Sequence, residues 1–407
     1  MTPRSRWLSI VGIGEDGLDG LSPAARRLIA QASLVVGGRR HLQLAAISGA
    51  RAVAWPSPID GAIPDILARR GEPVCVLASG DPFLYGVGSL LMRHISADEM
   101  TCLPAPSAFS LAAARLGWSL QDCATLSLHG RALEAVIPHL QPQARILALS
   151  WDGATPGRLA RLLVGRGMGR SKLTICEAMG GAGERLRGAL AEDLAFDDIA
   201  PLNTIALEVV AARDARVISR ASGLPDALFE HDGQITKREV RAMTLAALAP
   251  RRGELLWDIG AGCGSVAIEW MLCDPANRAV AIERHSGRAA RIARNAAALG
   301  VPGLEIVEGE APGALAHLPP PDAVFVGGGG SDADLLDHVF DALAPGGRLV
   351  VNAVTLEGQG ELARIFRRRG GDLMRADIAR ADPIGRFHGW RPAMPLVQWR
   401  VEKPWPD

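Results

Sequence analysis

The 407-residue sequence predicts an α/β protein built from two successive layered domains. Three observations carry that expectation. Strand-like apolar runs ending in glycine alternate with helix-like runs over the whole length, the pattern of α/β layers rather than of an all-helical or all-β chain. The length exceeds what one typical hydrophobic core holds. The stretch LLWDIGAGCGSVAIEW, residues 255–270, then opens a fresh strand-turn-helix series behind more than two hundred residues that already contain one.

In chain order, WLSIVGIG at 7–14 reads as a buried strand closing on glycines. SPAARRLIAQA follows as a helix, with Ser22 as N-cap and Pro23 at the first helical position, where its missing N–H costs nothing. ASLVVGG and PVCVLASGDP are further strand-then-glycine units; SAFSLAAARLG and TPGRLARLLVGRG are helices, and NTIALEVV is the last clear strand of the first half. Residues 213–235 mix Ser, Gly, Pro and Asp without periodicity. The expected division is therefore a first domain at 1–212, a linker at 213–233 and a second domain at 234–407. ITKREVRAMTLAALA reads as an amphipathic helix leading into LLWDIG.

Acidic and basic residues balance at 44 each. No global field draws the chain toward nucleic acid or an anionic membrane, and neither is an expected partner. Lysine occurs only at Lys172, Lys237 and Lys403, so nearly every cation is arginine, a bias most simply compositional. The six cysteines form no C-x-x-C pair and no Cys/His cluster, and no metal site is expected. No apolar run approaches the roughly 20 residues of a membrane span, and no signal-type segment precedes the first strand. A cytoplasmic location is the expectation.

The turn after residue 259 carries the first functional signal. Gly260, Gly262 and Gly264 permit positive φ and close approach of a ligand to the backbone. A helix starting near Ser265 aims its N-terminus at the same place. Glu283, ending the next strand RAVAIE, is placed to accept hydrogen bonds from ribose hydroxyls. These features alone also suit a dinucleotide, because Gly262-Cys-Gly264-Ser-Val-Ala267 satisfies G-x-G-x-x-G/A, so an NAD-dependent reductase stays open as an alternative. Three further features resemble class I methyltransferases: Asp258 in D-x-G-x-G-x-G, Glu310-Ala311 after the third strand, and PDAVFVGGGG followed by LAPGGRLVVNAV. Cys263 lies in the turn with no base beside it and reads as structural. Asp322 either faces the ligand or ends a loop, and Thr236 either caps the next helix or approaches the cofactor.

The first half lacks that fingerprint. Its units VGIGEDG, VVGGRRHL, VLASGDPFLYG and LPAPSAFSLAAARLG resemble, in order and spacing, the tetrapyrrole methylases. The resemblance implies two α/β subdomains, parted here near residue 104, with S-adenosylmethionine between them. It assigns Gly12, Ser79, Asp81, Tyr85, Ser107 and Ala108 to the cofactor. One departure stands out: the family's first loop is G-x-G-P-G, whereas this chain has Glu15 in place of the proline. Glu15 is also the one hint of a second alternative, that one half is a non-catalytic module.

The order of the two halves, with HDGQITKREVRA and VEGEAP, resembles the decarboxylating precorrin-6Y C5,15-methyltransferases of cobalamin synthesis. That implies one S-adenosylmethionine per domain, a small-molecule tetrapyrrole substrate and a homo-oligomer. It further implies C5 methylation in the first domain, and C15 methylation with loss of the ring C acetate carboxyl in the second. Arg386, His388 and Arg391 in IGRFHGWRP, and His129 in SLHGR, are candidates for the substrate's carboxylates; Glu177 in ICEAMGG is weighed and not kept as a site residue. No residue is assigned as the catalytic acid or base.

Overall fold

The computed structural model describes residues 6–328 and 330–406. Its contacts divide the chain into two compact units, one of Met1–Leu133 with His139–Val217, the other of Ile218–Asp407 with the short Glu134–Pro138 segment.

The first unit holds two sheets. One is five-stranded and wholly parallel, in the order Ala52–Ala54, Leu34–Gly37, Val74–Ser79, Leu8–Ile13, Met100–Leu103. Its inner strands are continuous apolar runs because both faces are covered, as parallel sheets require; Leu8, Ile10, Val11, Val76 and Leu77 are fully buried. Pro23–Gln31 is one covering helix, and the Ser22 hydroxyl accepts from Ala25 N at 3.2 Å as its cap. The other sheet is mixed, in the order Cys123–Ser127, Arg145–Leu149, Asn203–Glu208, Lys172–Glu177, Arg185–Leu190, parallel only between its first two strands. The helix Ala108–Leu116 packs Phe109, Ala112 and Ala113 against it.

The second unit is built on a seven-stranded sheet in the order Glu305–Glu308, Arg278–Glu283, Leu255–Ile259, Ala323–Val326, Arg348–Ala353, Leu396–Glu402, Asp372–Ala376. The first five strands are parallel, and Leu396–Glu402 runs antiparallel to both neighbours. Chain direction across the sheet reverses between Leu255–Ile259 and Ala323–Val326. In open α/β sheets, ligands bind beyond the carboxyl ends of the strands at such a switch point. A separate two-stranded ribbon, Ala379–Ile384 with Phe387–Pro392, turns at Gly385 and is mostly exposed.

Residues 218–233 are not loosely held. Ile218, Leu224 and Phe229 are buried. The Glu269 carboxylate accepts from Gly223 N at 2.6 Å and Leu224 N at 2.9 Å. Arg241, fully buried, donates to Glu269 at 2.5 Å and to the carbonyls of Leu224 and Thr236. These bonds fix the path that delivers Gln234 and Thr236 to the carboxyl edge of the sheet.

Candidate active sites

In the second unit, the strand Leu255–Ile259 ends in the glycine turn, and Gly260, Gly262 and Gly264 all have positive φ (+69°, +61° and +79°). A side chain on Gly260 would meet Gly328 N at 3.0 Å, and one on Gly264 would meet Ile292 Cγ2 at 2.8 Å. Backbone therefore passes backbone at the switch point without room for a Cβ. The helix Ser265–Cys273 starts here and is buried on all sides through its first six residues, so its path is fixed by the core.

Two carboxylates hold the turn. Asp258, 1% exposed, accepts from Ala267 N at 3.0 Å, tying the strand end to the first turn of the helix. Burial pushes its pKa up to about 7, opposed by the Ala267 bond and assisted by the nearby Glu283 charge. Asp258 thus sits behind the turn and supports it. Glu283 accepts from Gly262 N at 2.9 Å and from His285 N at 3.0 Å. A carboxylate offers about four acceptor positions, so Glu283 can hold the loop and still receive a ligand hydroxyl. Cys263 is buried with its thiol pKa raised by desolvation, and Asn295 donates to its carbonyl at 2.9 Å. That environment suits packing and not nucleophilic chemistry.

The turn forms one wall of a cleft of about 900 Å³, at the upper end of the range for small-molecule sites. Gly260, Gly262, Glu283, Glu310 and Ala311 all line it, so five of the residues read from the sequence converge. Arg284 donates to Glu310 at 3.2 Å. Thr236 also lines the cleft, but the N-cap of Arg238–Leu248 is Lys237, without a side-chain cap bond, so the capping reading of Thr236 is corrected. Asp322 is at the opposite edge of the sheet, accepting from Leu255 N at 2.8 Å, and closes a loop there.

The ribbon also lines the cleft. Arg380 and Arg391 are directly paired across it and both line the cleft, with Asp382 two residues along the same face. Arg380 pairs with Glu239, and Arg391 with Asp382 at 3.1 Å. His388 is three residues from Arg391, which in a strand puts it on the other face; Arg386 stands at the exposed turn, its guanidinium 5.2 Å from the Phe387 ring. Of the three residues named from IGRFHGWRP, only Arg391 borders the cleft. Arg380 was missed because nothing in ARADPI marks a strand paired to the next segment. The register with Arg391 is what recruits it.

In the first unit, Gly12, Gly80 and Ala105 meet at the carboxyl edge of the parallel sheet. A Cβ on Gly12 would lie 1.9 Å from Gly80 O and 2.5 Å from Ala105 N. The Asp81 carboxylate accepts from Phe83 N at 2.9 Å, and the Ser107 hydroxyl caps Ala108–Leu116 through Ser110 N at 3.1 Å. Ser79 at its strand end, Asp81 in the following loop, and Ser107 and Ala108 at the start of their helix thus lie close around Gly80 in the chain path. Tyr85 has φ +52°, rare for an aromatic residue. Its hydroxyl donates to Thr125 O of the second sheet at 3.1 Å, its ring lies edge-on to Phe109, and the Arg131 guanidinium stands 5.3 Å from its centroid. His129 is exposed and 6.3 Å from the Trp151 ring. Glu177 is buried between Arg185 and Arg187 and accepts from Ala200 N, a clamp on three strand ends and a bend.

Glu15 also has a partner. It pairs with Arg40, whose guanidinium donates to Ser79 Oγ at 3.1 Å. Its Cβ lies where a side chain on Gly181 would sit, 2.5 Å away, so the first loop rests on the Gly181 backbone of the second subdomain.

Comparison with known proteins decides the lineage. A curated precorrin-6Y C(5,15)-methyltransferase (decarboxylating) from Sinorhizobium sp. is 58% identical over 401 residues, covering 98% of this chain and 97% of its own. This chain belongs to that family. The family is one of methyltransferases, and the reductase reading of the glycine turn falls away. Residues 8–195 match the family described as tetrapyrrole (corrin/porphyrin) methylases, and residues 227–403 match the precorrin methyltransferase domain. Two shorter relatives from Salmonella typhimurium are each similar to less than half of the chain. A cobalt-precorrin-7 C(5)-methyltransferase is 31% identical over 44% of this chain and 88% of its own. A cobalt-precorrin-6B C(15)-methyltransferase (decarboxylating) is 35% identical over 42% and 89%. Among the described residues, no group of His, Cys, Asp and Glu could hold a metal ion, and no helix is long and apolar enough to cross a membrane.

Proposed function

We propose that this member of the precorrin-6Y C(5,15)-methyltransferase family methylates a reduced precorrin at C5 and C15 and decarboxylates its ring C acetate, with one S-adenosylmethionine site in each unit. The second unit carries C15 methylation and decarboxylation, and the first unit C5 methylation. The observation that supports this most strongly is the shared cleft of the second unit: the glycine turn, Glu283, Arg380 and Arg391 all line it. A nucleoside-type cofactor and a polycarboxylate can therefore meet in one cleft.

When bound, S-adenosylmethionine supplies an electrophilic methyl on a sulfonium. The chain's own contribution is positional. Gly260 and Gly262 would let the cofactor approach the backbone, Glu283 would offer an acceptor to its ribose hydroxyls, and Glu310 with Ala311 would border its adenine. Arg380 and Arg391 orient the substrate through its carboxylates. The electron-rich meso carbon is itself the nucleophile, and holding it in line with the methyl group removes most of the entropic barrier. In decarboxylation the electron pair of the breaking C–C bond passes into the conjugated macrocycle, and the carbon left behind takes up a proton. No lysine Schiff base is needed for that sink.

Calorimetry with S-adenosylhomocysteine tests the two-site reading. The wild type should bind two equivalents per chain; Gly262→Val should lose the second-unit site and Gly12→Val the first-unit site. A single equivalent in the wild type overturns it.

A further inference from the structure

Methylating a meso carbon leaves one proton too many: the carbon gains CH₃, and the substrate must release H⁺ to recover its conjugation. The glycine turn and the arginines of the second unit offer no acceptor in the first. At the carboxyl edge of the first unit's parallel sheet, however, the side chains of Glu15, Arg40, His41 and Ser79 are drawn together. His41 Nε2 lies 2.8 Å from Ser79 Oγ, and Arg40 Nη2 lies 3.1 Å from both. Arg40 is in turn paired with Glu15.

We propose that His41, acting through the Ser79 hydroxyl, is the proton acceptor for methyl transfer in the first unit. This rests on that unit's being a methyl-transfer site. Ser79 ends the central strand Val74–Ser79 and is exposed at its tip, whereas His41, on the helix Arg39–Leu44, is half-buried. The proton leaving the substrate passes to Ser79 Oγ as the serine's own proton moves to Nε2. Serine is unchanged, the imidazole becomes imidazolium, and water later takes the proton.

Several features fit a base better than a structural hydrogen-bonder. Arg40 is a donor only, so the ring nitrogen it faces must present a lone pair. Nδ1 is buried without a hydrogen-bond partner, whereas a histidine kept for structure ordinarily satisfies both nitrogens. The ring is seated by Gly38, where a side chain would come within 3.3 Å of Nδ1. Burial, and secondly the Arg40 charge, hold the His41 pKa down to about 4, so the ring is neutral at physiological pH. Glu15 is the carboxylate paired with the Arg40 guanidinium. The replacement of proline by Glu15 in the first loop and the RRH of VVGGRRHL thereby become parts of one arrangement.

The test uses the full chain with reduced precorrin-6 and S-adenosylmethionine, product mass being followed with time. His41→Ala should accumulate decarboxylated product carrying one added methyl, with appearance of the second methyl slowed about 10²- to 10⁴-fold and partly restored by added imidazole. S-adenosylhomocysteine should still bind with the wild-type stoichiometry. Dimethylated product at the wild-type rate overturns the proposal, as does a loss that imidazole fails to restore while binding is kept. If the alanine variant binds less S-adenosylhomocysteine than the wild type, His41→Gln is measured instead: the slow second methyl is expected, and a wild-type rate overturns the proposal. A wild type that adds no second methyl overturns the functional reading itself.

Discussion

The Glu283 carboxylate accepts a hydrogen bond from Gly262 N at 2.9 Å, joining the end of one strand to the middle of the glycine turn of its neighbour. The glycine turn of the second unit is therefore held in shape by the chain itself. Glu283→Ala removes that bond together with an acceptor for the ligand. Hydrogen bonds to charged groups contribute roughly 1.5–3 kcal/mol, so S-adenosylhomocysteine should bind the second unit about 10- to 150-fold more weakly by calorimetry, with the first unit's site unaffected. An unchanged dissociation constant would refute the role.

Two glycines of the second unit meet opposite demands. Gly264 has φ +79° and no room beside Ile292, whereas Gly287, within Ser286–Leu299, has open space around its Cβ position. Gly264→Ala should lower the stability of the second unit by about 1–3 kcal/mol. Gly287→Ala should raise it by about 0.5 kcal/mol, because the unfolded chain loses freedom and the helix loses nothing. Urea denaturation of the two variants checks the sign of each.

Asp258 gives a pH signature. Its folded pKa, raised by burial to about 7, lies above the unfolded value near 3.9. Between those values the folded state binds more protons than the unfolded state, so this group's contribution to stability falls as pH rises from about 4 to about 7 and is flat beyond. Asp258→Asn keeps an acceptor for Ala267 N and removes the titration. The melting temperature of the variant relative to wild type should therefore increase between pH 5 and pH 8. A difference independent of pH would mean that Asp258 does not titrate in this range.

Much of this was legible in the sequence, for identifiable reasons. Leu8–Ile13, Val74–Ser79 and Leu255–Ile259 are largely buried on both faces, so they read as predominantly apolar runs without alternation. Ser22 marked its helix because its cap bond is local, and the alternate glycines marked the turn because only glycine takes those φ values cheaply. What the sequence hid depends on distant partners. Residues 218–233 resembled a linker because their order comes from Arg241 and Glu269. The ribbon was obscure because it is exposed on both sides, leaving no alternation to read. The side of the cleft that Arg380 occupies follows from its register with Arg391, and the pairing of His41 with Ser79 spans 38 residues.

The buried pair in that anchored segment should be sensitive to loss of one member. Glu269→Ala leaves Arg241, fully buried, facing Asp226 alone among carboxylates. Removing one partner of a buried ion pair costs about 3–5 kcal/mol, and the second unit should lose that much in urea denaturation. A loss below about 1 kcal/mol would show that water enters freely beneath Gly223.

The ribbon offers a contrast within one element. Arg380 lines the cleft and Arg386 does not. Arg380→Ala should raise KM for the precorrin at least about tenfold, from the loss of a charge-assisted bond, whereas Arg386→Ala should leave it within about twofold. Equal effects would place the substrate outside the cleft.

The most direct measurement of the central claim is the accurate mass of the product that the whole chain makes from reduced precorrin-6 and S-adenosylmethionine. Two methyl-transfer sites and one decarboxylation require a gain of two methylene units with loss of one carbon dioxide. A product that gains a single methylene unit at exhaustion of substrate, or retains every carboxyl, would contradict the account.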